Sequence, residues 1–309
     1  MIFSCGEALI DMLPRTIADG ETAFLPVAGG ALFNTAIALG RLGEDARFVS
    51  GISTDLFGEQ LMDGLAASNV ETSHCIRSDR PSTLAFVQLT DGQAQYAFFD
   101  ENTAGSGLTP KDMPKLPEGV NALYFGGISL IPEPGALAYE SLLMANADQA
   151  VISLDPNIRQ GFISDEVAYR SRIKRMITKS DIVKVSDEDL DWLAAGQGGD
   201  PLDLARSWID SGVAMVVVTR GADGAQLLRA AGELTVAVAA ADVVDTIGAG
   251  DTFNAGFLAG LRRAGCLEKK ALRDASEEDL RSALALANQV AAITVSRPGA
   301  NPPWQSELS

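Results

Sequence analysis

Short apolar runs alternate along most of the chain with longer stretches in which apolar residues recur every three to four positions. Runs at 2–5, 48–52, 122–125, 151–154, 182–185 and 214–219 have the length and composition of strands. Stretches at 31–42, 57–67, 136–146, 169–177 and 202–211 carry helical periodicity. Such alternation predicts a mostly parallel sheet with both faces buried under helices. Two segments depart from it. Residues 83–89 and 95–99 flank Asp91-Gly92 as two alternating strands around a hairpin turn, and residues 13–27 interrupt the first strand-to-helix unit. We read about 12–27 and 82–103 as a small inserted β-sheet lid on a single domain spanning 1–309. The expected fold class is α/β, a three-layer sandwich with a mostly parallel central sheet.

Chemistry is concentrated at Asp245-Thr246-Ile247-Gly248-Ala249-Gly250-Asp251, which runs into an apolar stripe of Phe253, Phe257, Leu258 and Leu261. The stripe predicts a helix ending near Gly265. Glycines at its start let successive N–H groups converge on an oxyanion, as Gly248, Ala249 and Gly250 would here. Asp251 sits beside that hole, and the positive end of the helix favours its ionised form, so it is a candidate general base for a hydroxyl. The segment alone equally fits an ordinary turn with Asp251 as a helix cap.

Five more constellations fall where strands end or helices begin. Gly29 and Gly30 open the helix at 31–42 and let backbone approach a polyol, with Asn34 in the first turn able to donate and accept. Asp11 lies after the first strand, suited to two sugar hydroxyls or to a solvated turn. Asp155-Pro156-Asn157-Ile158-Arg159 follows another strand and offers an arginine fork for phosphate. Lys184 and Ser186-Asp187-Glu188-Asp189 follow the next, where carboxylates either organise water around Mg²⁺ or form the acidic first turn of a helix. Thr219, Gly221 and Gly224 close the run at 214–219 in a turn able to meet nucleotide phosphate or ribose.

Composition narrows the field. The chain has 309 residues, 47% of them hydrophobic and 21% charged, with a net charge of −17. That charge and the absence of a long basic run exclude general nucleic-acid binding. Cys5, Cys75 and Cys266 are odd in number and lack metal-ligand spacing, and the first residues form no leader and no run long enough to span a bilayer, so a cytoplasmic protein is expected. His74 is the only histidine, which removes most hydrolytic triads and histidine-ligated metals. No Gly-x-x-x-x-Gly-Lys-Ser/Thr occurs, and Gly248-Ala249-Gly250 is misplaced for a dinucleotide fold.

In order along nearly the whole chain, Gly-Gly…Asn, Asp-Pro-Asn-x-Arg, Thr-x-Gly-x-x-Gly, Gly-Ala-Gly-Asp and the closing Ser296-Arg297-Pro298-Gly299-Ala300 resemble the PfkB/ribokinase family of carbohydrate kinases. Gly6-Glu7-Ala8-Leu9-Ile10-Asp11 and Phe125-Gly126-Gly127-Ile128-Ser129-Leu130 are most similar to its bacterial fructokinase branch. The resemblance implies a ribokinase-like fold and transfer of the γ-phosphoryl of MgATP to the 6-hydroxyl of fructose. It implies Asp251 as base, Gly248, Ala249 and Gly250 as anion hole, and Asp11, Gly29, Gly30, Asn34, Asn157 and Arg159 around the sugar. Lys184, Ser186, Thr219, Gly221, Gly224 and Asn288 would face the nucleotide. Asp189 would hold Mg²⁺ through water, and Asp245, Ile247 and Gly299 would surround K⁺, although Pro303 replaces a frequent hydroxyl there. The family's Asn-Glu-x-Glu reads Ser186-Asp187-Glu188-Asp189, and Phe99-Asp100-Glu101 stands where many relatives have arginine, which implies repulsion of an anionic sugar acid there. Ribokinase and 2-keto-3-deoxygluconate kinase activities, or a non-catalytic sugar- or nucleotide-binding regulator, are the alternatives. The exposed lid edge implies a possible homodimer.

Overall fold

The computed structural model describes residues 1–308 apart from 19, 91, 92 and 197. Its central sheet has eight strands in the order Gly232–Val236, Ala225–Arg229, Met215–Thr219, Ile182–Ser186, Val151–Asp155, Ala122–Gly126, Ile2–Cys5 and Ala46–Val49. From Met215–Thr219 to Ala46–Val49 all neighbours pair in parallel, and the 225–236 hairpin adds antiparallel pairing at one edge. The central strands are buried on both faces, and successive residues feed opposite cores. Ala122 and Tyr124 join one hydrophobic cluster, while Leu123 and Phe125 join the other. This explains why these strands read as continuous apolar runs.

One core is covered by helices Ala31–Arg41, Leu56–Ala67, Ala249–Arg263, Lys269–Arg273 and Glu277–Val295, the other by Gly135–Asn146, Glu166–Ile177, Asp187–Ala194 and Pro201–Asp210. The expected mostly parallel α/β layering is therefore present. Ala249–Arg263 lies hard against Glu277–Val295 through small residues. A Cβ on Gly256 or Gly260 would come within 2.7 and 2.5 Å of the Cα atoms of Ala287 and Ala283. Such closeness fixes the helix that carries Asp251.

Two local expectations differ from what is observed. The single strand read at 48–52 divides at Ser50, with Ala46–Val49 in the central sheet and Gly51–Ser53 paired to Ile76–Ser78. An apolar run carries no mark of where the chain changes sheets. The hairpin Ala225–Arg229 and Gly232–Val236 carries no clear strand pattern in the sequence, because its strands mix polar and apolar residues at a sheet edge.

A smaller, separate sheet has the order Thr22–Gly29, Leu9–Thr16, Thr83–Thr90, Gln93–Phe99. The Asp91-Gly92 turn itself lies outside the described residues. Pairing of Asp11 with Val27 and Ala85, and of Ala85 with Phe98, puts Asp11 and Phe98 on one face. The opposite face carries Phe24, Phe86 and Phe99, stacked edge to face at 5.1 and 5.4 Å.

Candidate active site

A cleft of about 400 Å³ opens between the small sheet and the C-terminal ends of the central strands, where open α/β sheets hold ligands. It is lined by Asp11, Gly30, Asn34, Asn157, Arg159, Lys184 and the 247–251 turn, residues spread over 240 positions of sequence from Asp11 to Asp251. Gly29 lies just behind, and its missing side chain matters because a Cβ there would sit 2.4 Å from Asp11 Oδ2.

The helix Ala249–Arg263 begins with Gly248 in the left-handed region at φ 78° and has no side-chain cap. Ala249 N–H reaches Thr246 O only at 3.3 Å, and the amides of Gly250 and Asp251 have no acceptor among the described residues. These open donors are the physical content of an anion hole. Asp251 is buried in the same first turn. Its Oδ2 accepts a 2.9 Å hydrogen bond from Asn34 Nδ2, and its backbone carbonyl accepts from Thr35 Oγ1 at 3.0 Å. Burial raises the Asp251 carboxyl to about 6, opposed by the Asn34 hydrogen bond, with Asp155 raising it further and Lys184 and Arg159 lowering it. Desolvation thus outweighs the helix end, leaving a carboxylate that is ionised at neutral pH yet a usable proton acceptor.

Asp11 is likewise raised to about 6, by burial and then by the charge of Asp251. Two carboxylates facing one cleft suit hydroxyl donors. The cationic side is supplied by Arg159 and by Lys184, whose ammonium pairs with Asp155 Oδ2 at 2.9 Å. Lys184 also lies under the helix start, since a Cβ on Gly250 would meet its Nζ at 3.2 Å.

Comparison with known proteins settles the family. The profile of the pfkB family carbohydrate kinases matches residues 2–307. The chain belongs to that family. It is 54% identical over 282 residues to a fructokinase of Rhizobium leguminosarum bv. trifolii, covering 91% of this chain and 86% of that one. A fructokinase from Xylella fastidiosa with bound ATP superposes with a TM-score of 0.92 at 29% identity, covering 99% and 96% of the two chains. A double mutant of the Vibrio cholerae O395 fructokinase in a fructose-, ADP- and potassium-bound form gives 0.86 at 25% identity, covering 99% and 96%.

In this pfkB kinase the other sequence candidates stand outside the cleft. Ser186 caps Asp187–Ala194 by accepting from Asp189 N–H at 3.0 Å. Thr219 Oγ1 donates to Val185 O at 3.4 Å, and Gly221 and Gly224 take left-handed conformations beyond it. Gly224 also faces the carbonyl of Val236, 2.2 Å from where a Cβ would stand. Asn288 Nδ2 donates to Ala237 O at 3.0 Å. Asp189 accepts from Ile158 N–H at 3.1 Å, and burial followed by the charge of Asp155 raises its carboxyl. Asp245 uses one oxygen on Ile247 N–H at 3.0 Å and the other on Gly299 N–H at 2.9 Å, tying the helix-start loop to the closing segment.

Among the described residues no group of three or more His, Cys, Asp or Glu side chains forms a metal cage. Asp189 next to Asp155 fits a metal held mainly by nucleotide phosphates and water, the usual way Mg²⁺ is bound.

Sequence reasoning gave no role to Glu7, Phe98, Gly127, Ile128 or Thr246, which also line the cleft. Glu7 is buried, accepts from Ala31 N–H at 3.0 Å and Ser129 N–H at 3.1 Å, and is raised to about 7 by burial. Its sequence signals are a carboxylate in an otherwise apolar stretch after the first strand and its place in the Gly6-to-Asp11 motif.

Proposed function

We propose that this kinase transfers the γ-phosphoryl group of MgATP to the 6-hydroxyl of D-fructose, giving fructose 6-phosphate and ADP. The observation that carries the reading is Asp251, buried at an open helix start and sharing one cleft with Asp11, Asn34, Arg159 and Lys184. The 54% identity to the R. leguminosarum fructokinase supports fructose as acceptor.

In the proposed step the bond from Pγ to the ADP oxygen breaks and one from Pγ to the sugar O6 forms, while the hydroxyl proton passes to Asp251. The amides of Gly250 and Asp251, with Lys184 and Arg159, meet the charge spread over the phosphoryl oxygens. Gly248 and Ala249 shape that turn. Asp11, Asn34, Asn157 and the glycine pair 29–30 hold the sugar. Bound with ATP, Mg²⁺ supplies neutralisation of phosphate charge, with Asp189 holding it through water. Thr219, Gly221, Gly224 and Asn288 lie on the nucleotide side, beyond Ser186. K⁺ beside Asp245, Ile247 and Gly299 would stiffen the anion hole. The small sheet serves as a lid that excludes water, its outer aromatic face of Phe24, Phe86 and Phe99 offering a surface for a homodimer. A cytoplasmic location fits, and among the described residues no helix is long and apolar enough to cross a membrane.

An anionic sugar acid is the poorer acceptor, for a different reason than the sequence implied. Asp100 lies outside this cleft, accepting from Thr83 at 2.6 Å and Thr103 at 2.7 Å. Repulsion of an acid would instead come from Glu7, Asp11 and Asp251, which line the cleft itself.

ADP release from MgATP with fructose, ribose, glucose, ketodeoxygluconate and adenosine, in K⁺ and in Na⁺ buffers, tests the reading. Fructose should give the highest kcat/KM and K⁺ the faster rate. Preference for another acceptor would replace fructose, and no acceptor-dependent release would turn the reading toward a regulator.

A further inference from the structure

The catalytic helix and the phosphate-side lysine are joined by one buried carboxylate that the mechanism has not used. Asp155, at the end of strand Val151–Asp155, is 0% exposed, and both its oxygens are committed. Its Oδ1 accepts from Asn157 N–H at 3.1 Å, closing the turn that carries Asn157 and Arg159 into the cleft, with Asn157 held at φ 43°. Its Oδ2 accepts from Lys184 Nζ at 2.9 Å and from Asn254 Nδ2 at 2.8 Å. Asn254 stands three residues after Asp251, on the same face of the helix, and its second N–H donates to Tyr124 OH at 2.8 Å.

We infer that Asp155 is a positioning residue: it fixes the Lys184 ammonium beneath the open helix start and, through Asn254, sets the register of that ammonium against Asp251. Asp155 is the one acceptor Lys184 Nζ has among the described residues, so the remaining N–H bonds of the ammonium are free for phosphoryl oxygens. The ammonium stands close to the helix start, since a Cβ added to Gly250 would meet Nζ at 3.2 Å. Asn254 shares Oδ2 with the lysine, so a shift of the helix along its axis would pull the carboxylate and the ammonium with it. The base and the cation therefore move as one unit, the precision that in-line transfer requires.

The inference rests on the kinase reading above, and a double-mutant cycle separates the two. Steady-state kinetics would be measured for wild type, Asp155→Asn, Lys184→Met and the double variant, with fructose affinity by calorimetry. Asp155→Asn should lower kcat ~10²-fold, comparable to losing a donor to the transition state, with fructose affinity within ~3-fold. In the Lys184→Met background the same change should cost nothing more, because the residue acts through the lysine. Should Asp155→Asn fail to fold, Asn254→Ser keeps the ion pair and carries the test, with an expected ~10-fold loss of kcat that also vanishes beside Lys184→Met. Wild-type kcat in both single variants, or losses that add fully to that of Lys184→Met, would overturn the positioning role. A wild-type protein that releases no ADP with fructose would instead overturn the kinase reading, whatever Asp155 does.

Discussion

Among the helices that carry acid in the first turn, two serve different ends. Asp187–Ala194 carries Asp187, Glu188 and Asp189, and its start is closed by its own Ser186 hydroxyl. Ala249–Arg263 carries Asp251, and its start is led by a left-handed glycine with no cap at all. In the first, the acid complements the helix end and the donors are satisfied within the chain, which is a stabilising arrangement. In the second, the donors of Gly250 and Asp251 meet no acceptor among the described residues, and the acid is buried at the cost of a raised affinity for protons. An acidic first turn is therefore ambiguous in sequence. The residue before it decides: a hydroxyl closes the end, and a glycine leaves it open.

The comparison can be broken most forcefully by neutralising each acid in turn. Asp251→Asn should lower kcat by at least ~10²-fold, the usual scale for a general base, whereas Asp187→Asn should leave kcat within about 2-fold. Fructose-dependent ADP release checks both.

Stability should move the opposite way to activity. The folded-state carboxyl of Asp251 is raised from an ordinary value of 3.8 to about 6, so the folded protein binds that proton more tightly than the unfolded chain. Stability from this group is present below the unfolded value and is lost as pH rises through about 6, a cost of up to about 3 kcal/mol at neutral pH for a shift of that size. Asp251→Asn should therefore be the more stable protein in urea at about pH 8 and gain nothing at about pH 3. Wild-type kcat/KM should fall as pH drops below about 6, where the base becomes protonated.

A smaller effect is expected at the open start itself. Gly248→Ala puts a side chain at φ 78° and within 2.7 Å of Ala300 Cβ. It should cost ~1–2 kcal/mol in urea denaturation and ~10-fold in kcat/KM. Smallest of all, Ser186→Ala should remove a helix cap worth ~1 kcal/mol with kcat unchanged within about 2-fold, as thermal unfolding and initial rates would show.

The layered α/β fold was readable because strands buried on both faces and helices with one apolar stripe leave different periods in the sequence. Asp251 and Asn34 were readable because each stands in the first turn of a helix, where such folds place ligand groups, whereas Asp11 and Lys184 lie inside the strands Leu9–Thr16 and Ile182–Ser186 and were readable as lone charges in apolar runs. Glu7 was not, since its partners are the backbone amides of Ala31 and Ser129, and backbone donors leave no trace in a sequence. Phe98 was seen only as a strand residue, because which face points into the cleft is set by pairing with Ala85. Asn254 carried a cue, its three-residue spacing from Asp251, but its target Asp155 lies 99 positions away. Asp100 shows the converse, a residue whose position in the chain suggested the substrate and whose hydrogen bonds hold it beside Thr83 and Thr103.

The most direct test of the central claim is identification of the product formed from fructose and MgATP by wild type and by Asp251→Asn. Coupling to phosphoglucose isomerase and glucose-6-phosphate dehydrogenase would report fructose 6-phosphate as NADPH. Wild type should yield one NADPH per ADP released, and Asp251→Asn should yield almost none while still binding fructose. Fructose 1-phosphate as the product, or equal rates from the two proteins, would contradict the account.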